Sequence, residues 1–474
     1  MLSDASLVFP PPGSPLWRPD FLFGAATAAY QIEGAANEDG RSPSIWDTFC
    51  HSGDHIVDSS SGDVACDHYH RYAEDVALMA DLGVTSYRFS LAWPRIQPDG
   101  KGELNAAGVA FYDRLVDALL ERGIAPMATL YHWDLPQAVQ DAGGWTERDT
   151  ANRFGEYAGI VARALGDRVK VWMTLNEPVI TTVYGHIWGM HAPGLNLFDD
   201  PFPVVHHQLL AHGLAVAALR AGGVSGRVGI ANNYGPAWAV GPDGERDSAT
   251  DADRAAAAAY DAFHNRLYTD PVLLGRYPAG LDAFSGAGSL TEESASGLVR
   301  PGDMATIAAP VNALGVNYYN PAGIGAPSPG MPLPYDARMI AGFPITYFGW
   351  PVVPDGLREA LALLRLRYGA ALPPIYVTEN GAAYEDVPGE DGTVDDTDRI
   401  AFIDGHIQAL GTAVAEGAPI AGYYVWSLLD NFEWGEGYTK RFGLVYVDYP
   451  TQRRTPKSSY AWYRDFLAAR SARS

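Results

Sequence analysis

Eight short apolar runs punctuate the chain, at residues 21–26, 86–90, 127–131, 171–176, 228–232, 313–317, 375–379 and 423–427. Each is short and rich in β-formers or aliphatics, as parallel strands buried on both faces tend to be. Between the runs, apolar residues recur at helical spacing. Residues 63–82 place Tyr72, Val76, Met79 and Ala80 on one stripe before Gly83, and 106–121 do the same with Phe111, Leu115, Ala118 and Leu119 before Gly123. Segments 149–165, 203–220, 252–274, 354–368, 398–416 and 458–469 read likewise. Strand followed by helix, eight times, predicts the α/β class and a (β/α)8 barrel. A bare barrel needs about 250 residues. The surplus predicts long loops at 50–62, 185–201, 235–250, 285–303, 320–349 and 385–396, where Gly, Pro, Ser and Asp cluster. No shift in composition marks a linker and no repeat is present. One domain over 1–474 is therefore expected, with 1–18 as an extended segment; several α/β domains are the alternative.

Barrel enzymes carry their chemistry where the strands end, and here those ends are heavily loaded. Gln31 and Glu33 follow the first run (A-T-A-A-Y-Q-I-E-G), and Arg88 lies in the second (Y-R-F-S). His132, Trp133 and Asp134 follow the third (Y-H-W-D-L-P), while Asn176 and Glu177 end the fourth (T-L-N-E-P). Asn317, Tyr318 and Tyr319 end the sixth, and Glu379 and Asn380 end the seventh (Y-V-T-E-N-G). Trp426 lies in the eighth, ahead of Glu433 and Trp434. Two carboxylates at the ends of strands four and seven suit glycoside hydrolysis, in which one protonates the leaving oxygen and the other attacks the anomeric carbon or activates water. A strand-end Glu is also a common helix cap or ion-pair partner. Pro178 lacks an N–H, so pairing of the fourth strand is expected to stop at Glu177. Gly381 is expected to allow a tight reversal after Glu379.

Composition narrows the field. With 33 Lys and Arg against 56 Asp and Glu, the net charge is −23, which disfavours nucleic acid and anionic membrane as partners. Two cysteines, Cys50 and Cys66, cannot form a disulfide scaffold. The opening lacks the basic start and apolar block of a secretory leader, no apolar stretch is expected to span a membrane, and a cytoplasmic protein is expected. Twelve Trp and 26 Tyr suit a packed core and also stacking on sugar rings. Cys66, His68 and His70 lie in a segment read as helical, where residues two apart do not share a face, so no metal site is expected. His206–His207 is expected to face solvent or pack on its neighbour. The acidic run 385–396 is expected to be a solvated loop, because its spacing fits no EF-hand.

Taken in order, F-L-F-G-A-A-T-A-A-Y-Q-I-E-G, Y-R-F-S, Y-H-W-D-L-P, T-L-N-E-P, Y-V-T-E-N-G, W-S-L-L-D-N-F-E-W and F-G-L-V-Y-V-D-Y resemble glycoside hydrolase family 1, the β-glucosidase family. The resemblance covers nearly the whole chain. It implies a single TIM barrel with long loops on its C-terminal face, and a retaining β-glucosidase acting on small neutral O-glycosides, without a cofactor or metal. The setting it implies is carbohydrate metabolism, cellulose degradation included. By motif position Glu177 is the implied acid/base and Glu379 the implied nucleophile. Gln31, His132, Asn176 and Glu433 would bond the sugar, Trp426 would floor the pocket, and Trp434 and Trp133 would line it. Arg88 and Tyr319 would hold the nucleophile with Asn317 in support, and Trp350 (F-G-W-P) would flank the aglycone. Glu433, in place of a small polar residue, argues against 6-phosphoglycosides despite Lys440, as does Phe442. Glu177, in place of Gln, argues for O-glycosides over thioglucosides. A binding protein on the same barrel, and an enzyme used mainly for transglycosylation, are the rival readings.

Overall fold

A computed structural model describes Pro10 and residues 13–471. Eight parallel strands close into a barrel: β1 (Leu22–Ala26), β2 (Ser86–Ser90), β3 (Ala125–Tyr131), β4 (Val171–Asn176), β5 (Arg227–Asn233), β6 (Leu314–Asn317), β7 (Ile375–Asn380) and β8 (Ile420–Trp426). Each pairs with its sequence neighbours, and β1 closes the ring on β8 with Leu22 opposite Gly422. The apolar runs become strands because helices cover them outside and side chains fill the barrel inside; β2, β4, β7 and β8 are buried at every position. Gly24 shows how tight the centre is, since a Cβ there would meet the backbone of Ser86 at 2.6 Å.

The helices follow the predicted stripes. Ala106–Glu121 and Pro354–Tyr368 occupy the expected residues, and Arg148–Leu165, Phe202–Ala221, Thr397–Ala415 and Ser458–Ser471 differ by a residue or two. Phe202–Ala221 corrects the expectation about membranes: by length and composition it could cross one, yet most of it is buried inside the protein. The segment expected as a helix from 63 starts at His68, because Asp67 adopts φ 51°. The stretch 252–274 is not one helix either. Asp251–Tyr260 passes into a π-helical turn, Asp261–Arg266, before Asp270–Leu274.

Other expectations also change. Residues 1–9, 11 and 12 of the segment expected to be extended lie outside the described residues, and Pro15–Trp17 forms a 3-10 turn with Leu16 and Trp17 buried. Gly381 serves close approach rather than reversal: a Cβ there would strike the backbone carbonyl of Trp426. The acidic run is solvated only in part, with Glu385, Glu390 and Asp395 exposed. At its ends, Asp386 and Asp396 are buried against Arg399, and Lys457 bridges Asp386 and Asp430. His206 is buried between Tyr277 and Asp303, while His207 bonds the carbonyl of Trp145. Cys66 lies before the helix and donates to the carbonyl of Asp430; His68 pairs with Asp75, and His70 with Asp67 and Glu38.

Candidate active site

The C-terminal ends of the strands bring most of the loaded residues into one buried cluster. β4 ends at Asn176, and Glu177 turns the chain with φ 45° before Pro178 opens a short helix. Glu177 N still bonds the carbonyl of Ala231 on β5 at 2.8 Å, so the strand end and the carboxyl stay fixed to the sheet. Glu379 lies within β7 and is 3% exposed; Glu177 is 5% exposed.

The two carboxyls have different surroundings. Arg88 reaches from β2 and donates to Glu379 Oε1 at 2.5 Å, and the hydroxyl of Tyr319 donates to Oε2 at 2.7 Å. The same guanidinium bonds Asn176 Oδ1 at 2.6 Å, Thr129 Oγ1 at 3.2 Å and the Thr378 carbonyl at 3.2 Å, which fixes it in place. Among the described residues no cation bonds Glu177. Its Oε1 accepts from the amides of Asn317 at 2.8 Å and Asn233 at 3.0 Å. Burial first, and then the charge of Glu379, push its carboxyl up to about 8.

Asn317 therefore corrects an expectation. It is the register partner of Glu379, but its amide bonds Glu177 and, at 3.0 Å, Asn176 Oδ1 rather than the Glu379 carboxylate. Its own oxygen accepts from Thr378 Oγ1 at 2.6 Å.

Beside the carboxyls lies a wall of rings and amides. Trp426 ends β8 and stacks on His132, with centroids 5.8 Å apart; His132 also faces Trp434 at 5.9 Å. Trp133 packs on Trp434 at 4.6 Å and donates its ring N–H to the Asn176 carbonyl. The Asn176 amide donates to His132 Nε2 at 3.0 Å, leaving His132 Nδ1 buried without a protein partner. Burial, and then the charge of Arg88, hold this imidazole well below its usual value, so it is neutral. Gln31 donates to Asn431, to the Phe432 carbonyl and, at 3.3 Å, to Glu433 Oε2, while its own Oε1 is buried and unpaired. Unpaired buried polar atoms are costly, and a polyhydroxylated ligand would satisfy both. Burial, then Glu379, push Glu433 up to about 8. Trp350 is half-buried at the rim, 5.2 Å from Tyr319 and 4.2 Å from Phe348.

Glu33, although it follows β1, belongs to a different cluster, paired with Arg95 and Tyr112. Lys440 donates to the Tyr347 carbonyl at 3.3 Å and sits over the Tyr347 ring, while Phe442 packs among Tyr319, Phe348 and Trp350. Sequence reasoning missed Asn233, His264, Thr378 and Asn431. The fifth apolar run ends one residue before Asn233, and His264 lies in a helical segment with no strand-end signal.

The chain is similar over its length to known proteins. The model of Glycosyl hydrolase family 1 matches residues 15–472. Beta-glucosidase A of Acetivibrio thermocellus is 43% identical over 450 residues, covering 94% of this chain and 97% of its own. The bifunctional beta-D-glucosidase/beta-D-fucosidase of Bifidobacterium breve is 44% identical, covering 96% and 98%. The crystal structure of a psychrophilic beta-glucosidase from Micrococcus antarcticus superposes with TM-score 0.88 at 43% identity, covering 96% and 98%. Family match, sequence identity and barrel coincide over almost the entire length, and the chain belongs to glycosyl hydrolase family 1.

Proposed function

We propose that this protein is a retaining β-glucosidase that releases the terminal non-reducing β-D-glucosyl residue of small neutral O-glycosides, with Glu379 as nucleophile and Glu177 as acid/base. The observation that carries this reading is the asymmetry of the two carboxyls. Glu379 receives a guanidinium and a phenol, donors that suit an anion, whereas Glu177 receives only neutral amides and is pushed up to about 8. At neutral pH one group is therefore poised to attack and the other still holds its proton.

In the first step a Glu379 oxygen bonds to the anomeric carbon, the C1–O bond to the aglycone breaks, and the Glu177 proton passes to the departing oxygen. The nucleophile's charge is now in an ester bond. Glu177, left as a carboxylate, takes a proton from water as that water attacks C1 and frees Glu379. Gln31, His132, Asn176 and Glu433 bond the sugar hydroxyls. Trp426 lies under the ring, with Trp133 and Trp434 beside it, and Trp350 flanks the aglycone. Glu433 offers hydrogen-bonding oxygens to hydroxyls and no positive charge to a phosphate, and Lys440 is engaged with the 347 loop. The Bifidobacterium breve relative supports β-fucosides as further substrates.

The test is nitrophenol release from an aryl β-D-glucoside beside its 6-phosphate, with the first-formed sugar anomer read by NMR and an added alcohol acceptor to detect transfer. Cleavage of the neutral glucoside alone, giving β-glucose first, is expected. Initial α-glucose would overturn the double displacement, and cleavage of the phosphate alone would overturn the pocket argument.

A further inference from the structure

The acid/base carboxyl is held by only one of its oxygens. Glu177 Oε1 accepts from both Asn317 and Asn233, at 2.8 and 3.0 Å, and among the described residues nothing bonds Oε2. Two donors occupy the two lone-pair directions of Oε1, so the proton of the neutral acid belongs on Oε2.

Each amide is in turn oriented from behind. Thr378 donates to Asn317 Oδ1, and His264 Nε2 lies 2.9 Å from Asn233 Oδ1. An amide oxygen only accepts, so His264 donates from Nε2; burial pushes its ring down to about 4 and keeps it neutral. This lock prevents Asn233 from turning its oxygen toward Glu177. His264 is carried by the π-helical turn Asp261–Arg266, where it stacks on Tyr260 with centroids 4.8 Å apart. Such turns recur at functional sites, where an inserted residue redirects a side chain.

Resting on the assignment of Glu177 as acid/base, we propose that Asn233, locked by His264, is a positioning residue that confines the acid proton to Glu177 Oε2 and takes up charge at Oε1 when that proton leaves. As the Oε2–H bond breaks and the proton joins the glycosidic oxygen, negative charge spreads to Oε1 and strengthens both amide donations. In the second half-reaction Oε2 is the free acceptor for the proton of water. The other groups facing Glu177 are Glu379, Glu433 and Arg88, together with the phenols of Tyr319 and Tyr184. Asn233 is neutral and leaves their charges unaltered.

The experiment compares methyl β-D-glucoside, whose leaving group needs protonation, with 2,4-dinitrophenyl β-D-glucoside, whose leaving group does not. Asn233→Ala is expected to lower kcat/KM about tenfold on the first and about twofold on the second. The basic limb of its pH profile should rise by about half to one unit, because a donor to the charged form is gone. His264→Ala should show the same pattern more weakly and His264→Gln, which keeps a donor, should restore part of it; this pair carries the test if Asn233→Ala does not fold. Equal losses on both substrates with an unmoved basic limb would overturn the proposal, as would no change. Glu177→Ala separates the two assignments. If it too lacks a leaving-group gap, the acid/base reading fails; if it shows the gap and Asn233→Ala does not, the positioning role alone fails.

Discussion

Replacing Glu177 by Gln should stabilise the protein, and only above acid pH. The folded carboxyl is pushed from 4.5 to about 8 by burial and by Glu379. Below about pH 4.5 the folded and unfolded chains both hold the proton, and the group has no pH-dependent cost. As pH rises from there, the unfolded chain releases its proton and the folded chain does not. Stability is therefore lost progressively until the folded group titrates near 8. A shift from 4.5 to about 8, at about 1.36 kcal/mol per unit, sets a ceiling of about 5 kcal/mol. Relaxation of the pocket around the ionised form reduces this, and about 2–3 kcal/mol is expected at pH 8. Gln reproduces the protonated acid: its oxygen can accept from Asn233 and Asn317, and its amide stands where the Oε2 proton was. With an unfolding entropy of about 2.1 cal/mol/K per residue, a chain of 474 residues should gain about 2–3 °C in Tm at pH 8 and almost nothing at pH 4.5. Differential scanning calorimetry of both proteins across pH 4.5–9 measures the gap. A gap that stays constant with pH, or widens toward acid, would refute the origin assigned to the strain on Glu177.

Four other outcomes follow from the same geometry. The kcat/KM of the wild-type enzyme should fall above about pH 8 as Glu177 loses its proton, read from initial rates on an alkyl glucoside. Glu379→Gln should cut nitrophenol release by about 10⁴-fold or more while the protein keeps a cooperative melt; near-normal turnover would remove Glu379 from the chemistry. Gln31→Ala removes a donor to Glu433 and a buried acceptor; kcat/KM on the neutral glucoside should drop about 10–100-fold, with no gain on the 6-phosphate. Lys457→Met leaves Asp386 and Asp430 buried without their shared cation, and the denaturation midpoint should report a loss of about 3 kcal/mol or more.

The barrel was legible because burial on both faces leaves short runs rich in β-formers and aliphatics, a signal that depends only on local order along the chain. The same signal placed Glu177 and Glu379 at strand ends. It could not by itself say which carboxyl receives Arg88, since that depends on a side chain crossing from β2 to β7 inside the closed ring; the family resemblance implied Glu379, and Arg88 does bond it. Asn317 shows the limit most clearly: it stands beside Glu379 in register, yet its amide serves Glu177. The π-helical turn at Asp261–Arg266 contains no Gly or Pro to mark it in the sequence, and His264 lies within it. Nothing in the acidic run marks Asp386 and Asp396 for burial, because their cation partners, Arg399 and Lys457, lie outside it.

These misses share a cause. Periodicity assigns a residue to a face, while its partner is set by contacts between elements far apart in sequence. For two carboxylates in one pocket, the division of labour is entirely of the second kind. Either Glu could be acid or nucleophile by its position at a strand end. Closure of the ring gives the guanidinium to Glu379 and two amides to Glu177, and that difference in donors suits the first to attack and the second to give up a proton.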